Sequence, residues 1–74
     1  MKVEAKYGMD VYVTDGVHQF WGKVMDVDAF GKFKVAMAYG ANGNSLVRSF
    51  HWDGTLVRRR GRGSLSKLKA FLIT

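Results

Sequence analysis

The stretch Val11-Tyr12-Val13-Thr14-Asp15-Gly16 decides the fold, together with Gly22-Lys23-Val24-Met25-Asp26-Val27, which follows after a short loop. β-Branched and aromatic residues dominate the first stretch, as is typical of a strand. Asp15-Gly16 is a turn signal, because glycine adopts φ > 0 at no steric cost. We predict a strand from Asp10 to Thr14 and a second extended segment from Val17 to Val27.

Strand patterns continue on both sides of these stretches. Gly22 interrupts the second segment, and a glycine in a strand marks a bulge or a close backbone approach. The period of two is strictest from Lys32 to Tyr39, which places on one face Phe33, Val35, Met37 and Tyr39. Shorter patterns predict strands over Lys2–Tyr7, Leu46–Trp52 and Leu56–Val57, with a hairpin turn at Asp53-Gly54.

The segment from Ser64 to Thr74 fits two patterns. The spacing of Leu65, Leu68 and Leu72 is that of a short helix capped by Ser64, whereas Leu68, Ala70 and Leu72 alternate as in a strand. We favour a closing strand, because a small barrel needs one to cover its edges; the helix stays open as the alternative. The whole pattern predicts a mainly all-β chain, a small antiparallel barrel of about five to six strands.

Length and composition limit the kind of protein this is. The 74 residues predict a single domain over 1–74, which buries only about 60% of its unfolded surface. Cysteine is absent, so disulfides and thiolate metal sites are excluded. We expect a cytoplasmic protein, because a chain without cysteine fits a reducing setting. We expect no signal peptide or membrane helix, because no apolar run reaches the required length.

Positive charge is concentrated in the last part of the chain. The net charge is +6. Residues 1–45 contain five bases and five acids, whereas residues 46–74 contain seven bases and one acid, Asp53. This asymmetry favours a polyanionic partner such as nucleic acid. The alternative is a basic protein whose charge only keeps it soluble.

The two opening stretches resemble a KOW motif. That motif begins Val-x-Val-x-x-Gly and continues, after a loop, with Gly-x-Val and another Val beside an acidic residue. The matching residues here are Val11, Val13, Gly16, Gly22, Val24, Val27 and Asp28, within about 30 of the 74 residues. KOW domains are SH3-like barrels of ribosomal proteins and transcription elongation factors, so the resemblance implies an SH3-like barrel that contacts RNA, the ribosome or RNA polymerase. Tudor-like barrels, other SH3-like barrels and small phage-type proteins match comparably.

The arginine run is the sharpest candidate site; its cations are Arg58, Arg59, Arg60 and Arg62. Guanidinium groups make forked contacts with phosphate oxygens, and the interleaved glycines let the backbone follow a curved ligand. Lys67 and Lys69 extend the positive charge. The run predicts nucleic-acid binding with a strong salt dependence; the alternative is a solvated loop without a specific partner.

The strand pattern Leu46–Trp52 contains a conflict. If Phe50 and Trp52 face the core, Arg48 points there too, and an unpaired buried arginine is unfavourable. Either Arg48 lies at the barrel rim with its guanidinium in solvent, or this row is partly exposed. In the second case Arg48, Phe50 and Trp52 form a platform for stacking bases. For the two aromatics we prefer the other interpretation, core or corner packing.

Phe20 and Trp21 stand in the first loop and face opposite sides of an extended chain. We expect at most one to be fully buried; the other is a candidate anchor for a protein partner or part of an aromatic lid over the core. Catalytic and metal-binding patterns are absent: His18 and His51 lie far apart, and no spacing matches a zinc, calcium or phosphate-loop site. We expect no enzyme activity, cofactor or metal.

The sequence therefore supports two functions. The first is a basic, non-enzymatic module that binds RNA or DNA through the arginine-rich loop and strand aromatics. The second is a protein-binding adaptor or inhibitor, such as a phage-type modulator of a host protein or an assembly subunit, with Phe20 and Trp21 as anchors. A homodimer formed edge to edge is compatible with both.

Overall fold

The computed structural model describes residues 4–39, 43–58 and 67–73. Its strands are β1 (Asp10–Thr14), β2 (Gln19–Val27), β3 (Phe33–Tyr39), β4 (Asn44–Phe50) and β5 (Lys69–Leu72). They form one antiparallel sheet in the order β4-β3-β2-β1-β5. The all-β prediction is confirmed. The preferred strand at the carboxyl end is confirmed for Lys69–Leu72. There the structure follows the strand-like alternation of Ala70 and Leu72 and not the helical spacing.

The loop between β1 and β2 is organised by a buried carboxylate. Asp15 Oδ1 accepts hydrogen bonds from the backbone N–H groups of Val17, over 2.8 Å, and His18, over 2.6 Å. Aspartate side chains that bond the backbone just after them are a general turn device. The predicted turn is therefore confirmed, and it fixes a register in which Tyr12 lies opposite Trp21.

Gly22 allows β2 and β3 to approach closely. A Cβ at this position would lie 2.6 Å from the Ala36 carbonyl oxygen and 2.8 Å from Val35 Cγ1, so a side chain does not fit without movement of β3. The register shift of the β2–β3 ladder lies elsewhere, between Val24 and Asp26. Of the two interpretations of Gly22, close backbone approach is the correct one.

The segment after β4 links the two ends of the sheet. Phe50 forms an isolated bridge with Leu56, and Thr55 forms another with Lys69 of β5. The predicted return strand over Leu56–Val57 is wrong: the ladder stops after these single bridges. Across the described residues the sheet is therefore not closed into a continuous barrel, and the closed-barrel part of the prediction is corrected.

The core lies on the inward face of the sheet. Its buried residues are Val11, Val13, Val24, Phe33, Val35, Met37, Phe50, Leu56, Leu68 and Ala70. The alternation predicted for β3 is confirmed at Phe33, Val35 and Met37; the side chain of Tyr39 lies outside the described part. Every second residue faces outward, because side chains alternate along a strand.

The strand predicted over Lys2–Tyr7 is wrong for its described residues, 4–7, which belong to no strand. The chain instead turns at Tyr7-Gly8, where Met9 N–H donates to the Lys6 carbonyl over 3.0 Å. The Tyr7 side chain is exposed. A period of two in a short segment does not form a strand unless a neighbouring strand pairs with it.

Candidate functional site

Phe50 belongs to the core. Its side chain is 0% exposed, and its ring stacks on that of Phe33 with centroids 5.9 Å apart. The two residues are direct partners in the β3–β4 ladder. A base cannot reach a fully buried ring, so the assignment of Phe50 to a nucleic-acid surface is wrong and the core interpretation of this residue is confirmed.

A groove of about 570 Å³ runs beside β3 and β4. Its described lining consists of Lys34, Val47, Arg48, Ser49, Leu56, Val57 and Arg58. The groove forms because Val57 N–H donates to the Ser49 carbonyl over 3.0 Å, which holds the chain after the turn against β4. We call this surface, with its cations Lys34, Arg48 and Arg58, the cationic groove.

The Arg48 side chain does not carry its charge into the core, in line with one of the two sequence interpretations. It is half-buried, and its Nη1 donates to the Val47 carbonyl oxygen over 2.9 Å. The guanidinium therefore turns back along the strand towards an exposed carbonyl, while the aliphatic part is partly covered. This placement avoids burying an unpaired charge and brings the guanidinium into the groove that Arg58 also lines.

The electrostatics of the groove are one-sided. Its described lining has three cations and no carboxylate. Among residues 4–39, 43–58 and 67–73, Lys23 is ion-paired with Asp10 and a ring nitrogen of His18 contacts the Asp15 carboxyl, and neither contact lies in the groove. Asp26, the cross-strand partner of Lys34, and Asp28 line an adjoining recess that also contains Lys34, so negative charge begins next to Lys34.

Trp52 lies in a second concave site, away from the described lining of the groove. This recess of about 460 Å³ is lined by Glu4, Ala5, Val27, Asp28, Ala29, Phe30, Gly31 and Trp52. Phe30 is 83% exposed and Trp52 is 54% exposed. Asp28 shapes the recess, because its Oδ1 accepts the N–H groups of Phe30 and Lys32 over 2.8 and 2.9 Å. The predicted platform of Arg48, Phe50 and Trp52 is therefore not formed.

Three aromatic rings stand in a row across β2, β1 and β5. Tyr12 is the direct cross-strand partner of both Trp21 and Phe71. Its ring centroid lies 5.4 Å from that of Trp21 and 6.1 Å from that of Phe71. We call these residues the aromatic row. Of these three residues, sequence reasoning singled out Trp21 alone. The signal for Phe71 was the alternation of Ala70 and Leu72: if these two face inward, Phe71 between them faces outward.

The other candidate residues fall into three groups. Phe20 and Trp21 lie in β2 and not in the first loop; Phe20 is half-buried against the core and Trp21 is exposed, so they face opposite sides as the alternation predicted. Lys67 and Lys69 are exposed, and Lys69 Nζ lies 5.5 Å from the centroid of the Phe71 ring. The run members Arg59, Arg60 and Arg62 lie outside the described residues. Lys34, which sequence reasoning did not select, joins the site through the β3–β4 ladder.

Within the described residues, no three His, Cys, Asp or Glu side chains are grouped so as to hold a metal ion. A helix of sufficient length and hydropathy to cross a membrane is also absent from that part of the chain. Comparison with protein-family models, with curated proteins and with solved structures gives no match. The function must therefore be argued from the surfaces of this chain.

Proposed function

We propose that this protein is a small basic module that binds nucleic acid, RNA or DNA, through the cationic groove. The observation that carries the proposal is the meeting of Lys34, Arg48 and Arg58, from three segments of the chain, in one groove without a carboxylate in its described lining. The net charge of +6 adds long-range attraction for a polyanion. The KOW-like pattern favours the same class of partner.

The groove suits phosphates better than base edges. Arginine offers planar forked donors for phosphate oxygens and lysine offers a compact charge. Contacts of this kind fix the position of a nucleic acid and carry no sequence information. We therefore expect weak base preference from the groove and an affinity that falls steeply with salt, because each phosphate that binds a cation releases counterions.

The test is a salt series of binding to a short labelled oligonucleotide, followed by fluorescence anisotropy. Arg48→Gln and Arg58→Gln each remove one cation of the groove. Each is expected to lower the slope of log affinity against log salt by about 0.7 to 0.9 for every phosphate that the variant no longer neutralises.

The matched control is Lys6→Gln, which removes one charge from an exposed residue outside the described lining of the groove. It is expected to leave the slope unchanged. An affinity for the oligonucleotide that stays constant from about 50 to about 200 mM salt contradicts the proposal. Equal effects of all three substitutions would show that net charge, and not the groove, governs binding.

A second candidate function rests on the recess that contains Phe30 and Trp52. Two exposed aromatic side chains beside Glu4 and Asp28 suit an apolar or basic segment of a protein partner. This function corresponds to the adaptor or inhibitor alternative, in which the recess and Trp21 both anchor the protein partner. A partner that is retained after nuclease treatment and released by Phe30→Ala supports it; loss of every partner on nuclease treatment contradicts it.

A further inference from the structure

The aromatic row is a surface feature that the core does not require. Val11 and Val13 of β1 face inward and are fully buried, whereas Tyr12 between them faces outward. Its neighbours in the row remain open to solvent, Trp21 at 62% and Phe71 at 45%. Three rings in register on adjacent strands leave a continuous apolar strip on the outer face, and such strips mark binding surfaces.

The rings of the row pack against one another. The Tyr12 and Trp21 rings meet edge to face at an interplanar angle of 66°, and Tyr12 meets Phe71 at 48°. Pairs of this geometry are favourable beyond their buried area. A ligand that stacks on Trp21 or Phe71 therefore meets rings that already pack against Tyr12, and such preorganisation lowers the entropy cost of binding.

Positive charge flanks the row on β5. Lys69 Nζ lies 5.5 Å from the Phe71 ring centroid. In the neighbouring row of cross-strand partners, Lys23 of β2 pairs with Ala36 of β3. Ala36 in turn pairs with Val47 of β4, which lines the groove. The small side chain of Ala36 therefore stands between the aromatic row and the cationic groove on one face of the sheet. Lys23 itself is bonded to Asp10 over 2.9 Å, so Lys69 is the cation of the row.

We infer that the aromatic row is the surface on which unpaired bases of a single-stranded nucleic acid stack, while its phosphates reach Lys69 and the cationic groove. The inference rests on the proposed function and adds the class of nucleic acid. Base stacking on aromatic side chains tolerates any sequence, because every base has a π-face. Bases of a duplex are stacked on one another, so the row discriminates in favour of single strands.

The first test compares a single-stranded oligonucleotide of about 12 nucleotides with a duplex of the same length, at fixed salt. Trp21→Ala and Phe71→Ala are each expected to weaken single-strand binding by roughly tenfold or more, equivalent to about 1.4 kcal/mol. Duplex affinity is expected to stay within about twofold, because phosphate contacts dominate it. Tyr7→Ala, which removes an exposed aromatic ring outside the row, is the matched control and is expected to change neither affinity.

A second measurement reports contact with the row directly. The chain has two tryptophans, so a Trp52→Phe variant leaves Trp21 as the single tryptophan, which is excited selectively over tyrosine. Its fluorescence is expected to be quenched by the single strand and unaffected by the duplex at equal occupancy. Circular dichroism of every variant checks that the fold is retained, which is expected for substitutions of exposed side chains.

The outcomes separate this inference from the proposed function. In one outcome the wild-type protein binds with a salt dependence, but Trp21→Ala and Phe71→Ala keep their single-strand affinity and no quenching is seen. That outcome overturns base stacking on the aromatic row and leaves the proposed role of the cationic groove intact. Binding to neither oligonucleotide overturns both. A wild-type dimer that Trp21→Ala converts to a monomer in sedimentation shows that a second copy occupies the row, which also overturns the inference. A nuclease-resistant protein partner that Trp21→Ala releases does the same.

Discussion

Gly54 and Ala70 are joined backbone to backbone: the Ala70 N–H donates to the Gly54 carbonyl over 2.9 Å. A Cβ on Gly54 would clash with the Ala70 carbonyl oxygen, and φ of Gly54 is +91°. This contact attaches the turn after β4 to β5. Together with the bridge between Thr55 and Lys69, it links the two ends of the sheet.

Gly54→Ala is therefore expected to be strongly destabilising. The left-handed backbone costs about 1–2 kcal/mol for a residue with a side chain, and the clash with Ala70 adds about 1–3 kcal/mol. Chemical denaturation measures the decrease in unfolding free energy. Gly8→Ala is the matched control, because Gly8 also has positive φ, +82°, but open space around it; a decrease as large as that of Gly54→Ala would contradict the role of the contact.

Gly22→Ala tests the close approach of β2 and β3 without a positive φ. The added methyl group would meet the Ala36 carbonyl oxygen at 2.6 Å, and this backbone atom cannot rotate away as a side chain does. We expect a decrease of about 1–3 kcal/mol in unfolding free energy. Denaturation at equilibrium provides the measurement, and an unchanged or increased stability would show that β3 accommodates the methyl group.

Phe50→Ala and Phe30→Ala form a matched pair of phenylalanine deletions. Phe50 is 0% exposed and Phe30 is 83% exposed. Deleting the buried ring is expected to lower the unfolding free energy by about 3–5 kcal/mol, a large part of the stability of so small a domain. Deleting the exposed ring is expected to change it by less than about 0.5 kcal/mol. Similar effects in thermal or chemical unfolding would contradict the placement of Phe50 in the core.

Protonation of Asp53 in acid is expected to lower the stability of the fold. The Thr55 hydroxyl donates to Asp53 Oδ1 over 2.7 Å and the Thr55 N–H donates over 3.0 Å, and these bonds lower the pKa of the exposed Asp53 carboxyl below its ordinary value. Folding favours the ionised carboxylate of Asp53. Its contribution to the free energy of unfolding is therefore fully present above the ordinary aspartate pKa of about 3.9. The contribution is lost as the pH falls through the lower pKa of the folded state.

The measurement is an NMR titration of the Asp53 side chain. Thr55→Val, which removes the hydroxyl, is expected to raise the pKa of Asp53 towards its ordinary value. Thr55→Ser keeps a hydroxyl and is expected to keep the pKa low. If the pKa of Asp53 is the same in both variants, the hydroxyl bond does not contribute to the ionised form.

Local patterns predicted several elements well. The strand Asp10–Thr14 and the inward face of β3 followed from alternation, and the Asp15-Gly16 turn followed from side-chain chemistry that acts within a few residues. The strand over Lys2–Tyr7 failed for its described residues, because a strand needs a hydrogen-bonded neighbour that no local pattern supplies. Trp52 was grouped with Phe50 for a similar reason: the chain leaves β4 at Phe50, and alternation no longer applies beyond it.

By itself the sequence determined the β character of the chain, the excess of positive charge after residue 45 and the turn at Asp15-Gly16, because composition and short-range conformational preference decide these features. Only the tertiary structure decided that Lys34 joins Arg48 and Arg58 in one groove, and that Tyr12 stands between Trp21 and Phe71. Those groupings depend on strand order and register between segments distant in sequence. A shift of one residue in either ladder would turn the same side chains to the opposite face.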